Sequence, residues 1–194
     1  MKKIIITFFL LAIVKSGFSQ FEQGNILLSG QSSFGFSSEK TKFDGNDVSK
    51  QTSFSLTPAA GYFVADNLAV GLLLDVSSSK LESETSDAES KSSTFTVGPF
   101  VRYYLEQKIF FQADLGFGSS KSEFSSGGST SESDYGVFSF GLGAGYAAMI
   151  SDRVAIEPVL RWGSLSQKAD GADEPLITSG ISIGVGVAVY LGGD

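Results

Sequence analysis

LITSGISIGVGVAVYL, residues 176–191, is the stretch on which the reading of the fold turns. Ile177, Ile181, Ile183, Val185, Val187, Val189 and Leu191 fall on one parity, and Thr178, Gly180, Ser182, Gly184, Gly186 and Ala188 on the other. Successive side chains of a strand point to opposite faces, so this segment reads as a strand with one greasy face and one face of small residues. A helix would scatter the same residues around its circumference.

The alternation extends back to Asn25, interrupted only by clusters of Gly, Ser, Asp and Pro, and no segment keeps a helical period. Boundaries drawn at those clusters give eight strands, near residues 25–36, 51–64, 68–79, 93–105, 109–119, 135–150, 154–166 and 176–191. In the third, Leu68, Val70, Leu72, Leu74 and Val76 lie opposite Ala69, Gly71, Asp75 and Ser77, with a single Leu73 among the latter. In the fourth, Phe95, Val97, Pro99, Val101, Tyr103 and Leu105 lie opposite Thr94, Thr96, Gly98, Phe100, Arg102 and Tyr104. Residues 37–50, 80–92, 120–134 and 167–175 are expected as long polar loops. Ala65-Asp66-Asn67, Glu106-Gln107-Lys108 and Ser151-Asp152-Arg153 are expected as tight turns. An even strand count with short turns at one end and long loops at the other is the layout of an outer-membrane barrel.

The distribution of charge decides which face is outside. Within the strands Asp75, Arg102, Asp114, Glu157 and Arg161 all fall on the small-residue face. A charge facing lipid at the bilayer midplane costs about 2–4 kcal/mol, so the greasy face belongs to lipid and the charged face to a narrow lumen. A soluble barrel would instead expose a face rich in Lys and Glu. Ten residues rising ~3.3 Å each at a tilt of ~40° cover about 25 Å, the height of the apolar band. Phe34, Phe54, Phe95, Phe117, Phe138 and Trp162 then form one interfacial girdle, and Tyr62, Tyr103, Phe111 and Tyr146 the other.

Composition removes whole classes of function. The chain has neither Cys nor His, which excludes disulfides, thiol nucleophiles, zinc clusters and the Ser-His pairing that activates a hydroxyl. Its formal charge is −7 and falls to −10 without Lys2, Lys3 and Lys15, so nucleic acid is not an expected partner. No apolar run beyond the first fifteen residues reaches the ~20 that a spanning helix needs.

Those first residues read as an export signal. Met1-Lys2-Lys3 is the basic start, Ile4 to Val14 the apolar core, and Gly17 and Ser19 the small residues before a cut between Ser19 and Gln20. Residues 1–19 are therefore expected as a cleaved signal peptide and 20–194 as one barrel domain.

The segments Pro58-Ala59-Ala60-Gly61-Tyr62-Phe63-Val64-Ala65-Asp66-Asn67-Leu68-Ala69-Val70-Gly71, Gly98-Pro99-Phe100-Val101-Arg102-Tyr103-Tyr104 and Ile156-Glu157-Pro158 resemble the hairpins of a known family. It is the porin-like outer-membrane β-barrel domain family of Gram-negative bacteria, related in architecture to the OmpA and OmpX type barrels. The resemblance covers the mature chain. It implies an integral protein of the cell outer membrane, surrounded by outer-membrane lipid and inserted by the barrel assembly machinery. Such barrels usually end on an aromatic residue, whereas this chain continues past Tyr190-Leu191 with Gly192-Gly193-Asp194.

The remaining motifs have plain structural readings. Gly141, Gly143 and Gly145 share the inward face of a strand and precede no helix, so they keep the lumen from overfilling and are no dinucleotide fingerprint. Asp44-Gly45-Asn46-Asp47 and Asp170-Gly171-Ala172-Asp173-Glu174 lack the spacing of a calcium loop and read as turns. Pro58, Pro99 and Pro158 lie inside strands, where each removes a ladder donor and is expected to leave a bulge.

The fold class is thus an all-β, eight-stranded antiparallel up-and-down transmembrane barrel preceded by a cleaved signal peptide. No catalytic residue, cofactor or metal site is expected. Arg102 and Asp114 stand diagonal on the inner face and are expected to pair, with Asp75 on the far side of Arg102 and Glu157 and Arg161 four apart on one strand. Together they would form a hydrogen-bonded charge network that blocks the lumen. The expected function is non-enzymatic, structural or in surface interactions, with long loops meeting an extracellular partner. The alternative is a porin-like channel for small solutes.

Overall fold

The computed structural model describes residues 18–32, 37–43, 46–83, 87–105, 108–169 and 171–192. The expected signal core and Phe34 lie outside the described residues. Among the described residues ten strands follow a 3-10 turn at Phe18–Phe21: β1 Ile26–Ser32, β2 Ser37–Phe43, β3 Asn46–Ala65, β4 Leu68–Ser83, β5 Glu89–Tyr104, β6 Ile109–Ser126, β7 Ser129–Tyr146, β8 Ala148–Met149, β9 Val154–Ala169 and β10 Leu176–Leu191. Antiparallel ladders run in the order β1, β10, β9, β7, β6, β5, β4, β3, and β1 pairs again with β3. Eight strands therefore close on themselves, while β2 pairs with the far end of β3 and β8 adds two residues beside β9.

The register fixes which side chains share a face. Val76 stands opposite Phe95 and Leu142 opposite Trp162, all on the outer wall. That wall is greasy, with Phe95, Phe117 and Phe138 on the loop side and Tyr62, Tyr103 and Phe111 on the turn side each between 43% and 53% exposed. Inside, Leu27, Phe63, Leu73, Phe100, Tyr104, Phe110 and Tyr190 are buried. The side chains that water would reject are thus sorted to lipid, and the interior fills with a minority of large residues among many small ones.

Two expectations need correction. Most of the segments read as long polar loops are strand. β4 continues to Ser83 and β5 resumes at Glu89, while β6 and β7 run to Ser126 and from Ser129 around Gly127-Gly128. The Ser- and Thr-rich tracts have no apolar alternation because both faces are wet beyond the bilayer, yet every residue from Ser119 to Ser126 pairs with one from Gly136 to Ser129. The prolines leave no bulge. The β3–β4 ladder passes from Leu56↔Val76 to Ala59↔Leu73 and the β5–β6 ladder from Val97↔Phe117 to Phe100↔Asp114, in unchanged register. A closed wall pins each strand on both sides, so a missing donor removes pairs without shifting them. At Pro99 the gap leaves an apolar groove of about 680 Å³ in the outer wall, bounded by Val70, Leu72, Val101, Ala113 and Leu115.

Candidate functional site: the barrel lumen

The lumen is layered from the tight-turn end upward. At its base the 3-10 turn carries Phe21 into the mouth, where its ring stacks on Tyr104 at 4.2 Å and meets Tyr190 edge-on at 5.2 Å. The backbone holds it there. Asn67 N donates to Phe21 O at 2.7 Å, Gly24 N to Phe63 O at 3.0 Å, and Gln23 N to Asp66 Oδ1 at 2.9 Å. Asn67 has a φ of 65°, which short polar side chains tolerate in tight turns. Of the two residues flanking the expected cleavage point, Ser19 and Gln20, both lie in this turn and Gln20 is half-buried.

Above that base sits the first charged tier. Arg102 on β5 and Glu157 on β9 are 1% and 0% exposed and meet with Nη1 donating to Oε2 at 2.9 Å and to Oε1 at 3.1 Å. Arg102 Nε donates to Gln112 Oε1 at 2.9 Å, and its Nη1 to the Tyr104 hydroxyl at 3.1 Å. Tyr190 donates to Glu157 Oε1 at 2.9 Å. The guanidinium also lies 4.3 Å over the Phe110 ring. Burial of this kind is tolerated only when charges are paired and their hydrogen bonds met, as here.

The second tier joins Asp114 on β6 to Arg161 on β9, with Nη1 to Oδ2 and Nη2 to Oδ1 both at 2.6 Å. Such a two-point fork fixes geometry as well as charge. β7 runs between these two strands, and its Gly141 stands opposite Asp114. A Cβ at Gly141 would collide with the Arg161 guanidinium, so the missing side chain is what lets the pair close over the intervening strand. Gly145 likewise makes room for the Phe110 ring.

The pairing corrects the expected one. Arg102 does not take Asp114 as its ion-pair partner; Gln112 stands directly opposite Arg102 and reaches Asp114 through Nε2 at 3.5 Å. Asp75 is part of neither ion pair and, among the described residues, accepts one hydrogen bond, from Thr57 at 2.8 Å. Sequence reasoning missed Gln112, Tyr190 and Phe21. Parity alone places Tyr104 on the inner face, and the same signal is present at Gln112.

Above the second tier the lumen widens. One cavity of about 330 Å³ and another of about 210 Å³ both have Asp75 and Arg161 in their walls. Among the described residues no group of three or more metal-ligating side chains is found.

The family model for the autotransporter beta-domain matches residues 28–187, from within β1 to within β10. No curated protein matches by sequence. Ail, the attachment invasion locus protein of Yersinia pestis, solved with the heparin analogue sucrose octasulfate, has a similar fold, with a TM-score of 0.54 at 14% identity over 87% of this chain and 99% of that one. Neisserial surface protein A gives 0.45 at 16% over 85% and 94%. The translocator domain of the autotransporter NalP from Neisseria meningitidis gives 0.46 at 17% over 97% and 68%.

Proposed function

From the premise that this chain belongs to the autotransporter beta-domain family and is a bacterial outer-membrane β-barrel, we propose that it is a non-enzymatic barrel with a sealed lumen. It presents its outer hairpins to partners at the cell surface and does not pass solutes. One observation carries this reading: Arg102 and Glu157 meet across the interior with essentially no solvent contact. Phe21, Tyr104 and Tyr190 fill the same level and the one beneath it. Eight strands enclose an interior only just wide enough for side chains, so this filling suffices to exclude hydrated ions.

The outer hairpins support the second half of the reading. Above the upper girdle the outward face carries Lys80, Glu82, Glu89, Lys91, Lys121, Glu123 and Asp134. Lys80 reaches Glu89 at 2.9 Å within one hairpin and Lys91 reaches Glu123 at 3.8 Å on the next, so the outer rim is a polar palisade laced by ion pairs. Catalysis has little support, since the chain has no Cys and no His and its buried acids are held by arginines. The signal peptide over residues 1–19 and insertion by the barrel assembly machinery belong to the same proposal.

Planar-bilayer recording of the refolded residues 20–194 tests it. No steady conductance is expected. A stable open level comparable to that of a general porin would instead favour the channel.

A further inference from the structure

Along β4 to β7, β9 and β10 the lumen face carries three acids, Asp75, Asp114 and Glu157, against two bases, Arg102 and Arg161. Both bases are spent on Asp114 and Glu157. Among the described residues no cation lies within ion-pair distance of Asp75, whose single hydrogen bond comes from Thr57. Of these five charges Asp75 is the one without an ion-pair partner among the described residues, and it stands half-buried in the wall shared by the two upper cavities. Low-dielectric walls focus such a field toward an entering counter-charge.

From this we infer that the upper lumen is a blind cup that binds a small hydrophilic solute through a primary ammonium seated on Asp75. The donor set selects this class of cation. Calcium takes six to eight oxygens, usually from several carboxylates, and magnesium demands a near-ideal octahedron. Asp75 offers one carboxylate. A primary ammonium has three donors and needs three acceptors around a single charge. Asp75 supplies the charge, and the hydroxyls of Thr57, Ser77, Thr96, Ser139 and Thr178 line the same space. These hydroxyls also donate, so the rest of the ligand is polar and hydroxyl-bearing. The Asp114–Arg161 fork forms part of the lining and stays paired, because neither partner has to leave the other to admit the ligand.

The test is amide NMR of the refolded full barrel in detergent micelles, titrated separately with glucosamine, N-acetylglucosamine, calcium chloride and potassium chloride. Glucosamine is expected to shift Thr96, Ser139 and Gly163 saturably, while N-acetylglucosamine, which has lost the ammonium, does not. Asp75→Asn is expected to weaken glucosamine binding at least ~10-fold. Overturning results are an equal response to the two sugars, an unchanged affinity in the variant, saturation by calcium or potassium ahead of glucosamine, or no saturable shift. The comparison of ligands on the unmodified protein decides the matter even where Asp75→Asn does not fold. Bilayer conductance reports separately on the seal below, so a leaking lumen and an empty cup are distinguishable.

Discussion

Arg102 and Glu157 are 55 residues apart in sequence, yet their side chains meet at 2.9 Å inside the barrel, linking strands that are not neighbours in the wall. Removing one partner strands the other in a site without water. Arg102→Ala or Glu157→Gln is expected to lower unfolding stability by about 3–5 kcal/mol, and the paired change Arg102→Met with Glu157→Leu to recover most of that. Urea titration followed by the gel shift between folded and heated barrel measures it. A single variant costing less than about 1 kcal/mol would remove the pair from the account of stability.

Gly141 is a sharper probe of the second tier, because a side chain there strikes Arg161 directly. Gly141→Val is expected to cost about 1–3 kcal/mol and to open the Asp114–Arg161 fork. Gly180, whose added Cβ would meet nothing within 4 Å, is the internal control. Gly180→Ala is expected within ~0.5 kcal/mol of the parent. Equal losses at both positions would mean that backbone strain, not the fork, is being measured.

Orientation is testable because the chain has no cysteine of its own. Single cysteines at Ala88 and Ser126 in the outer hairpins are expected to react with an impermeant maleimide on intact cells. One at Asp66, in the tight turn beside Gln23, is expected to stay unlabelled until the envelope is opened. The opposite pattern would invert the barrel.

The outer palisade has a predictable pH window. Hydrogen bonds from Lys91 and Lys80 hold the Glu89 carboxyl below its ordinary value of 4.5. Bonding to Glu82 and Glu89 raises Lys80, and bonding to Glu89 raises Lys91, each above 10.5. A lowered acid contributes fully above 4.5 and loses its contribution as pH falls through the lowered value; a raised base contributes fully below 10.5 and loses its contribution as pH rises through the raised one. Protection of the Ser83 and Ala88 backbone should therefore be flat between those limits and fall outside them. Added salt should lower the plateau, since these groups remain in contact with solvent. A plateau indifferent to salt would assign the hairpin's order to its ladder alone.

The wall was open to reading from sequence and the interior was not, for one physical reason. Parity is local, so the alternation of Ile183, Val185 and Val187 with Gly184 and Gly186 fixes a face from neighbours alone. Cross-lumen partners depend on how far the sheet is sheared when it closes, which no local pattern records. Arg102 was therefore matched to Asp114, the nearest acid across one turn, when closure delivers Glu157 to it and Arg161 to Asp114. The Ser-rich tracts failed differently. Hydropathy carries no strand signal where both faces are wet, although the ladder from Ser119 to Ser126 is complete. Phe21, one aromatic ahead of the first strand, had no periodic context in which to be noticed.

That same Phe21 ring sets an order of events during folding. It lies 6.2 Å from the ring of Phe63 and 5.2 Å from that of Tyr190, the first from the second strand of the wall and the other from its last. The socket for Phe21 does not exist until β10 has zipped onto β1 and brought Tyr190 to the mouth. Seating the ring is consequently a late step, downstream of closure. Phe21→Ala should thus leave the insertion rate nearly unchanged and speed unfolding, because the seated ring is a kinetic latch that holds the finished protein closed.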